Sequence, residues 1–373
     1  MNAGAIDEND PAATRREYPI PNDGYRTEFE RDYTRILHSR SFRRLRHKTQ
    51  VFISPHNDHI CTRLEHSLCV ASIAKTIAKK LGFNEDLVSA IAIGHDLGHS
   101  PFGHAGERKL NEIAGQRGFG FQHEIHGLRV VDVLESPYTE HAGLNLTFAV
   151  RDGIACHNGE AIERELTPKL GKGFDELGGM TEKGPPPFTY EACVVRFADK
   201  IAYLGRDLED GITAKIINEA DVPPVVRDGL GTTNKQIINK LIRDLVEYSD
   251  GKATIGLSAT AFEAFKACYD FNMEAIYRNR KVASRFRQVA SAMARMVEIF
   301  EAKIDEWQRG GINVTMNNGD PQCMPILADF LTADIRNWQA QNPARLAVDF
   351  VAGMTDSFFI ETFSELFMPY STV

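Results

Sequence analysis

A stretch of fourteen residues carries most of the candidate chemistry of this chain. The sequence GHDLGHSPFGHAGE, residues 94–107, contains five side chains that can bind a metal ion or transfer a proton: His95, Asp96, His99, His104 and Glu107. Neighbouring residues on a helix point about 100° apart, so His95 and Asp96 can reach one ion only near a helix end. The glycines and the proline of this stretch favour such an end.

Two residues from distant segments complete a candidate metal site. His66 lies in RLEHS, and Asp199 lies in FADKIAY among apolar neighbours. Burying a carboxylate there is costly without a strong partner, and a metal ion is such a partner. The set of His66, His95, Asp96 and Asp199 contains no thiolate, which argues against a structural zinc site. Mn²⁺, Mg²⁺, Fe²⁺ and Co²⁺ all suit these ligands.

Hydrophobic periodicity predicts an all-α chain that positions these residues. Apolar residues recur at three- and four-residue spacing over about 28–48 and 62–81, and no segment alternates as a strand would. Further helices are predicted near 85–98, 123–134, 145–156, 190–210, 234–248, 258–279, 282–307, 324–340 and 343–367.

Composition divides the chain into a core and additions. Residues 1–16 are polar and predict a disordered tail, and 17–220 contain the candidate chemistry. Within that core, 165–189 is rich in glycine and proline and predicts a long surface insertion. Residues 221–373 predict a helical C-terminal part packed on the core.

Charge and cysteine usage exclude several classes of protein. The net charge of −8 argues against bulk coating of nucleic acid. The segment from Arg26 to Lys48 contains eight Lys or Arg residues but only three acidic residues. We therefore expect this segment to form a positively charged wall that faces phosphates. No apolar run reaches the roughly 20 residues of a membrane helix. The N-terminus resembles no secretory signal, and the six cysteines form no C-x-x-C pair, so we expect a cytoplasmic protein.

Several long blocks together resemble one family. The order His, His-Asp, Asp defines the HD pattern of metal-dependent phosphohydrolases, and its contexts here are RLEHS, GHDLGHSPFGH and FADKIAY. The blocks RTEFERDYTRILHSRSFRRLRHKTQVF (26–52), FQHEIHGLRVV (121–131) and VDFVAGMTD (348–356) are similar to signatures of deoxynucleoside triphosphate triphosphohydrolases of the HD superfamily, which include bacterial dGTPases. The resemblance covers nearly the whole chain and implies an HD-domain helical core with additional packed C-terminal helices.

The resemblance also implies roles for individual residues. The positions that match metal ligands are His66, His95, Asp96 and Asp199. The positions that match catalytic residues are His99, His104, Glu107 and His123, and Glu107 lies one helical turn from His104, which suits a general acid and the group that orients it. The positions that match substrate contacts are Gln50, Arg63, Lys200, Tyr203 and Asp207. Arg63 and Lys200 would hold phosphates, and the other three would contact the deoxyribose. Glu124 and His126 occupy positions where many relatives have Asn and Gln.

The activity implied is the metal-dependent hydrolysis of dNTPs, dGTP among them, to a deoxynucleoside and inorganic triphosphate. The resemblance also implies a homo-oligomer, and it allows a dNTP as allosteric effector and single-stranded DNA as a partner. Two alternatives stay open at this point. One is another HD phosphohydrolase, a nucleotidase or phosphodiesterase; the other is a non-catalytic regulator that binds nucleotides or single-stranded DNA. The complete set of ligands and proton-handling residues favours an enzyme.

Overall fold

A computed structural model of the chain describes residues 4–50, 61–138, 140–158, 162–178, 180, 185–310, 323–332 and 338–368, with side chains given except at 280–286 and 323. The described residues form sixteen α-helices and one small sheet, so the all-α prediction is confirmed. None of these helices is both long and apolar enough to cross a membrane.

The helices are numbered in chain order. They are α1 (Pro11–Thr14), α2 (Glu28–Leu37), α3 (Arg40–Arg44), α4 (Arg63–Leu81), α5 (Glu85–Gly94), α6 (Gly103–Gly115), α7 (His123–Arg129), α8 (Phe148–Ala155), α9 (Tyr190–Thr213), α10 (Pro224–Gly229), α11 (Asn234–Ser249), α12 (Ala259–Asn272), α13 (Arg280–Gln308), α14 (Cys323–Leu331), α15 (Pro343–Ala352) and α16 (Asp356–Phe367). The two strands, β1 (Glu165–Leu166) and β2 (Ile255–Gly256), pair antiparallel.

Local sequence sets the ends of the helices that carry the candidate site. Thr62 and Glu65 form a reciprocal capping box at the start of α4, and Gly82 ends this helix with a left-handed φ of 73°. The side chain of Asn84 accepts hydrogen bonds from the N–H groups of Asp86 and Leu87 and so begins α5. The predicted helix over 62–81 therefore agrees with the structure within one residue.

Two long predicted helices are broken in the structure. The segment 28–48 contains α2, α3 and a short 3₁₀ turn, because the hydroxyl of Ser39 accepts from the N–H of Phe42 and caps a new helix. The segment 343–367 divides into α15 and α16, where Thr355 caps in the same way by accepting from the N–H of Phe358. In both cases a hydroxyl side chain takes the place of a helical carbonyl, which periodicity alone does not detect.

The N-terminal segment, which the sequence predicts to be a disordered tail, has specific contacts in the part that the structure describes. The backbone N–H of Ile6 donates to Glu191 Oε1 over 3.0 Å. The guanidinium of Arg16 lies 2.5 Å from Asp32 Oδ1, and the Asp32 side chain is fully buried. Composition could not reveal this, because the order comes from partners elsewhere in the chain.

The segment 165–189 is also less exposed than expected. Leu166, Leu177 and Phe188 are buried in the main core. The ammonium of Lys172 forms an ion pair with Asp152, and neither side chain has exposed area. These residues of the predicted insertion pack inward, whereas others among the described residues of the segment, such as Leu170, are exposed.

Two hydrophobic clusters meet at the candidate site. The larger cluster extends along the chain from Ile6 to Ile276, and the smaller one joins Phe102 and α6 to α13–α16. Helices α10–α12 belong to the larger cluster, so the expected boundary near residue 220 does not coincide with the division between the cores. Leu97 belongs to the larger cluster and Phe102 to the smaller one, which places the stretch 94–107 at their junction.

Candidate functional site

Three helices bring the four predicted metal ligands together. His66 lies in α4, His95 and Asp96 lie in the 3₁₀ turn that continues α5, and Asp199 lies in α9. Helix α4 packs against both α5 and α9. All four side chains are buried. Adjacent side chains of an α-helix point about 100° apart. Because α5 ends before His95, the 3₁₀ turn lets His95 and Asp96 approach the same point.

The distances between the ligand atoms fit one divalent ion. His66 Nε2 lies 2.9 Å from Asp199 Oδ1 and 4.0 Å from Asp96 Oδ2. His95 Nε2 lies 3.4 Å from Asp96 Oδ1 and 3.7 Å from Asp199 Oδ1. Two donors that each lie about 2.1 Å from an ion and at right angles are about 3 Å apart. His66, His95 and Asp96 each place one ligand atom within 4.8 Å of the other two, and Asp199 Oδ1 lies next to both histidines.

The surroundings of His95 favour an ion over hydrogen bonds alone. His95 Nδ1–H donates to the carbonyl of Ala92 over 2.7 Å, which leaves the lone pair on Nε2. This Nε2 atom is buried and has no hydrogen-bond partner among the described residues. Burial lowers the pKa of His95, but Asp96 and Asp199 outweigh burial and raise it to about 9. The negative charges of Asp96 and Asp199 thus favour a positive charge at His95.

Arg63 connects the ligand set to the adjoining space. Its Nη1 donates to Asp96 Oδ2 over 3.0 Å, and both side chains are almost fully buried. Its Nε and Nη2 atoms have no hydrogen-bond partner in the part of the chain that the structure describes. The guanidinium can therefore hold Asp96 and still offer donors to an anion.

Glu107 lies between two of the predicted catalytic histidines. Its carboxylate accepts from His123 Nδ1 over 2.9 Å and lies 3.3 Å from His104 Nδ1. His99 Nε2 lies 3.0 Å from Asp96 Oδ1, and its ring stacks on that of His123 with centroids 3.8 Å apart. Burial raises the pKa of Glu107, but His123 and His104 outweigh burial and hold it well below its ordinary value. The four predicted catalytic residues thus form one continuous group beside the ligand set.

His157 belongs to this group and was not predicted. It follows α8, its Nδ1–H donates to the carbonyl of Ile154 over 2.7 Å, and its Nε2 lies 3.1 Å from His123 Nε2. Burial and the charges of His123 and His95 lower its pKa to about 4. The sequence contains no spacing that relates His157 to the other histidines, so only the packing of α7 against α8 brings it here.

A cavity of about 600 Å³ adjoins the ligand set and the histidines. Gln50, Arg63 and Tyr203, three of the predicted substrate contacts, line this cavity. Further cationic and aromatic side chains line it as well: Arg108, Tyr269, Tyr277 and Arg278. The cavity is therefore lined both by the candidate metal ligands and by cationic and aromatic groups, which suit phosphates and a ring system respectively.

Lys200 and Asp207 do not line the cavity. Lys200 follows Asp199 directly and points about 100° away from it; it is buried, and burial together with Arg196 lowers its pKa to about 7. Asp207 is fully buried and accepts a hydrogen bond from the hydroxyl of Tyr277, which does line the cavity. The placement of Lys200 does not support its predicted contact with phosphates.

The basic segment 26–48 likewise lies elsewhere. None of its eight Lys and Arg residues lines the cavity. Arg31 pairs with Glu28, and the ammonium of Lys48 donates to the backbone carbonyls of His99 and Ala352. The placement of this segment does not support a phosphate wall at the cavity. Arg31 and Lys48 are buried in these contacts, whereas Arg26, Arg40, Arg43 and Arg46 are exposed outside the cavity.

Helix α7 lies close to the 3₁₀ turn His95–Gly98, called the HD turn below. A Cβ atom on Gly98 would lie 2.0 Å from the carbonyl oxygen of His123, so only glycine fits at this position. His126 Nδ1–H donates to the carbonyl of Gly98 over 2.9 Å, and the buried Glu124 lies 3.4 Å from His123 Nδ1. Glu124 and His126, the two departures from the family pattern, thus support the turn and His123.

Comparison with known proteins places this site in a family. Residues 63–204 match the HD domain family, and residues 255–365 match the phosphohydrolase-associated domain family. Three relatives carry the name deoxyguanosinetriphosphate triphosphohydrolase-like protein. That of Caldanaerobacter subterraneus subsp. tengcongensis is 36% identical over 92% of this chain and 86% of its own length. That of Desulfatibacillum aliphaticivorans is 36% identical over 95% and 91%, and that of Bordetella pertussis 35% over 98% and 97%. The chain therefore belongs to the HD-domain family of deoxyguanosinetriphosphate triphosphohydrolase-like proteins.

Proposed function

We propose that this protein hydrolyses dNTPs, dGTP among them, to a deoxynucleoside and inorganic triphosphate. The observation that carries the proposal is the shared cavity. The ligands His66, Asp96 and Asp199 line it together with three arginines and three tyrosines. A triphosphate of about four negative charges needs several cations, whereas the deoxyribose and base need flat apolar surfaces. The relatives' name agrees with this chemistry.

His66, His95, Asp96 and Asp199 would hold a divalent cation, and Mn²⁺, Mg²⁺, Fe²⁺ and Co²⁺ are the candidates. When bound, such an ion polarises a phosphoryl oxygen and lowers the pKa of a bound water. The chain supplies the rest of the electrostatics. Arg63 would neutralise phosphate charge with its two unengaged nitrogens, and Arg108 and Arg278 line the same cavity.

Proton transfer is assigned to His104. Cleavage between the 5′-oxygen and the α-phosphorus leaves an alkoxide that must take up a proton. His104 lines the cavity, and Glu107 lies within hydrogen-bond reach of its Nδ1 atom. His123 is held by the other side of the same carboxylate, and His99 is held by Asp96. Glu107 would therefore orient His104 toward the leaving group.

Sugar recognition is assigned to Tyr203 and Gln50, both of which line the cavity. Tyr203 lies four residues after Asp199 on α9, which places it about 6 Å further along the same face. Asp207 lies behind Tyr277, so its predicted contact with the 3′-hydroxyl would pass through the tyrosine hydroxyl or require that hydroxyl to move.

The experiment that tests the proposal is incubation of the purified protein with dGTP and Mn²⁺, followed by separation of the phosphate products. Inorganic triphosphate is the expected product. Release of pyrophosphate or orthophosphate would indicate a different HD phosphohydrolase, and no turnover would indicate a nucleotide-binding regulator. Asp96→Ala serves as the catalytically inactive control, so that a contaminating phosphatase is recognised.

The family resemblance extends the proposal to assembly and regulation. We expect a cytoplasmic homo-oligomer, measurable by light scattering during size-exclusion chromatography. A dNTP effector would appear as faster turnover of one dNTP in the presence of another. Single-stranded DNA binding would appear as a change in the fluorescence anisotropy of a labelled oligonucleotide.

A further inference from the structure

The ammonium of Lys48 connects two segments that are far apart in the sequence. Its Nζ atom donates to the carbonyl of Ala352, the last residue of α15, over 2.9 Å. It also donates to the carbonyl of His99, which directly follows the HD turn. Lys48 is 3% exposed. Carbonyls at the end of a helix or turn lack a partner within that element, so this buried ammonium satisfies one such group on each side.

His99 is fixed on both sides of its Cα atom. Its backbone N–H donates to the carbonyl of Asp96 over 3.2 Å, and its own carbonyl accepts from Lys48. Its ring places Nε2 3.0 Å from Asp96 Oδ1 and stacks on the ring of His123. Loss of the bond from Lys48 would free the backbone dihedral angles of His99, and the ring would then be able to leave this position.

Lys48 does not line the cavity that contains the metal ligands. It lines a second cavity of about 860 Å³ together with Leu97 and His126. Asp96 and His99 line the first cavity, whereas Leu97, between them in the sequence, lines the second. The HD turn thus separates the two cavities. Any effect of Lys48 on the reaction must therefore pass through the residues that it holds.

We propose that Lys48 is a positioning residue, which links the carbonyl of His99 to α15 and so holds the imidazole of His99 against Asp96 and His123. The inference rests on the proposed function, in which His99 belongs to the catalytic group. A displacement of about 1 Å at a reacting centre can reduce a rate by about 100-fold. A buried contact outside the substrate cavity can therefore have a large effect on kcat.

Lys48→Met tests this role, because it removes the ammonium and nearly preserves the length of the side chain. With dGTP and Mn²⁺, we expect kcat to fall by roughly 10–100-fold while KM stays within about twofold of the wild-type value. In a His99→Ala background the same substitution should change kcat by less than about twofold, since the group through which it acts is absent. Equal effects in the two backgrounds would overturn the proposal.

Lys172→Met is the matched control. Lys172 is also a buried lysine, its ammonium pairs with Asp152, and it lines neither of the two cavities. The factor by which Lys172→Met changes kcat should be the same with and without His99. A factor that disappears in the His99→Ala background would show that loss of any buried lysine gives this result, and the assignment to Lys48 would be refuted.

A measurement without substrate distinguishes this proposal from the proposed function. Full-length protein labelled with ¹⁵N at histidine and supplied with Mg²⁺ is studied by NMR, and the ring signals of His99 are assigned by their loss in His99→Ala. These signals should shift in Lys48→Met and remain in place in Lys172→Met. Unshifted signals in Lys48→Met would refute the proposal. Shifted signals in a protein that releases no triphosphate from dGTP would refute the proposed function alone.

Thermal melting shows whether Lys48→Met is folded. If it is not, Lys48→Gln replaces it in both experiments, because the donor of glutamine lies one atom closer to the backbone and cannot reach both carbonyls. The expected outcomes are the same: a loss of kcat that depends on His99, and shifted His99 ring signals. Wild-type kcat and unshifted signals in Lys48→Gln would contradict the positioning role.

Discussion

The carboxylate of Asp356 accepts a hydrogen bond from the backbone N–H of Phe102, with 2.9 Å between the two atoms. Phe102 has a left-handed φ of 62°, which a bulky residue adopts only when its surroundings enforce it. Phe102 is the residue directly before α6, the helix that carries His104. The other carboxylate oxygen accepts from the hydroxyl and N–H of Thr49, next to Gln50. Helix α16, which begins at Asp356, thus fixes the positions of two segments that line the cavity, at Phe102 and beside Gln50.

We therefore expect Asp356→Ala to reduce both stability and kcat. Removal of the carboxylate leaves the N–H of Phe102 and the Thr49 groups without their acceptor, at a cost of about 1–3 kcal/mol in the free energy of unfolding. Urea unfolding and steady-state kinetics measure the two effects. Glu361→Ala, at an exposed position of the same helix, is the control and should change neither. Wild-type kcat in Asp356→Ala would show that α16 does not position the site.

The proposed metal site leads to a prediction for the metal content and the activity of Asp96→Ala. Asp96 is one of the proposed ligands and contacts His95 and Arg63, so its loss should remove bound metal and nearly all turnover. Elemental analysis of the purified variant measures the metal. Asp228→Ala, an exposed position on α10, should retain wild-type metal and activity. A full complement of metal in Asp96→Ala would contradict the assignment.

For the general acid, we expect His104→Ala to retain bound metal while kcat falls by roughly 10²–10⁴-fold. His104 is not among the proposed ligands, and its side chain is 38% exposed toward the cavity and surrounding solvent. Single-turnover kinetics with dGTP, compared with His99→Ala and His123→Ala, measure the effect. His141→Ala, outside the cavity, is the control. An unchanged kcat in His104→Ala would transfer the role to His99 or His123.

Selectivity for deoxyribose should depend on Tyr203. A ring packed against C2′ leaves no space and no hydrogen-bond partner for a 2′-hydroxyl, so dGTP should be preferred over GTP by orders of magnitude in kcat/KM. Tyr203→Ala should narrow this ratio and weaken dNTP turnover, whereas Tyr203→Phe should preserve the ratio because it keeps the ring. If the ratio is the same in Tyr203→Ala as in the wild type, the sugar is selected by other residues.

Low pH should weaken the ion pairs of Asp349, whose partner His126 is hydrogen-bonded to the HD turn. Burial raises the pKa of Asp349, but Arg129, His126 and Arg345 outweigh burial and hold it well below its ordinary value. A carboxylate whose pKa is lowered by folding stabilises the protein above the unfolded pKa of about 3.9, and that stability is lost as the pH falls below this value. Asp349→Asn should therefore be destabilised by roughly 1–3 kcal/mol at pH 7.

The destabilisation of Asp349→Asn relative to wild type should shrink progressively as the pH falls from about 5 toward 3. Urea unfolding of both proteins at several pH values measures it. Asp228→Asn, at an exposed position, is the control for general acid effects. A difference that stays constant over this range would show that the Asp349 ion pairs contribute nothing to the pH dependence.

Local patterns in the sequence determined the helices and the types of residue at the site. The ends of α4 follow from Thr62, Glu65 and Gly82, whose effects act within one turn of the chain. The HD turn was predictable for the same reason, because the glycines and the proline that favour a helix end lie close to His95 and Asp96 in the sequence. The four proposed ligands were identified from residue chemistry and from the family resemblance together.

Only the tertiary structure decided which side chains meet. His157 lies 34 residues from His123, and their contact depends on the packing of α7 against α8. Lys200 faces away from the cavity because α9 presents Asp199 to it instead. Arg16 is ordered by Asp32, and Asp356 supports Phe102 from 254 residues away. Such contacts depend on how helices pack in three dimensions, whereas periodicity and capping report only on neighbours within one or two turns.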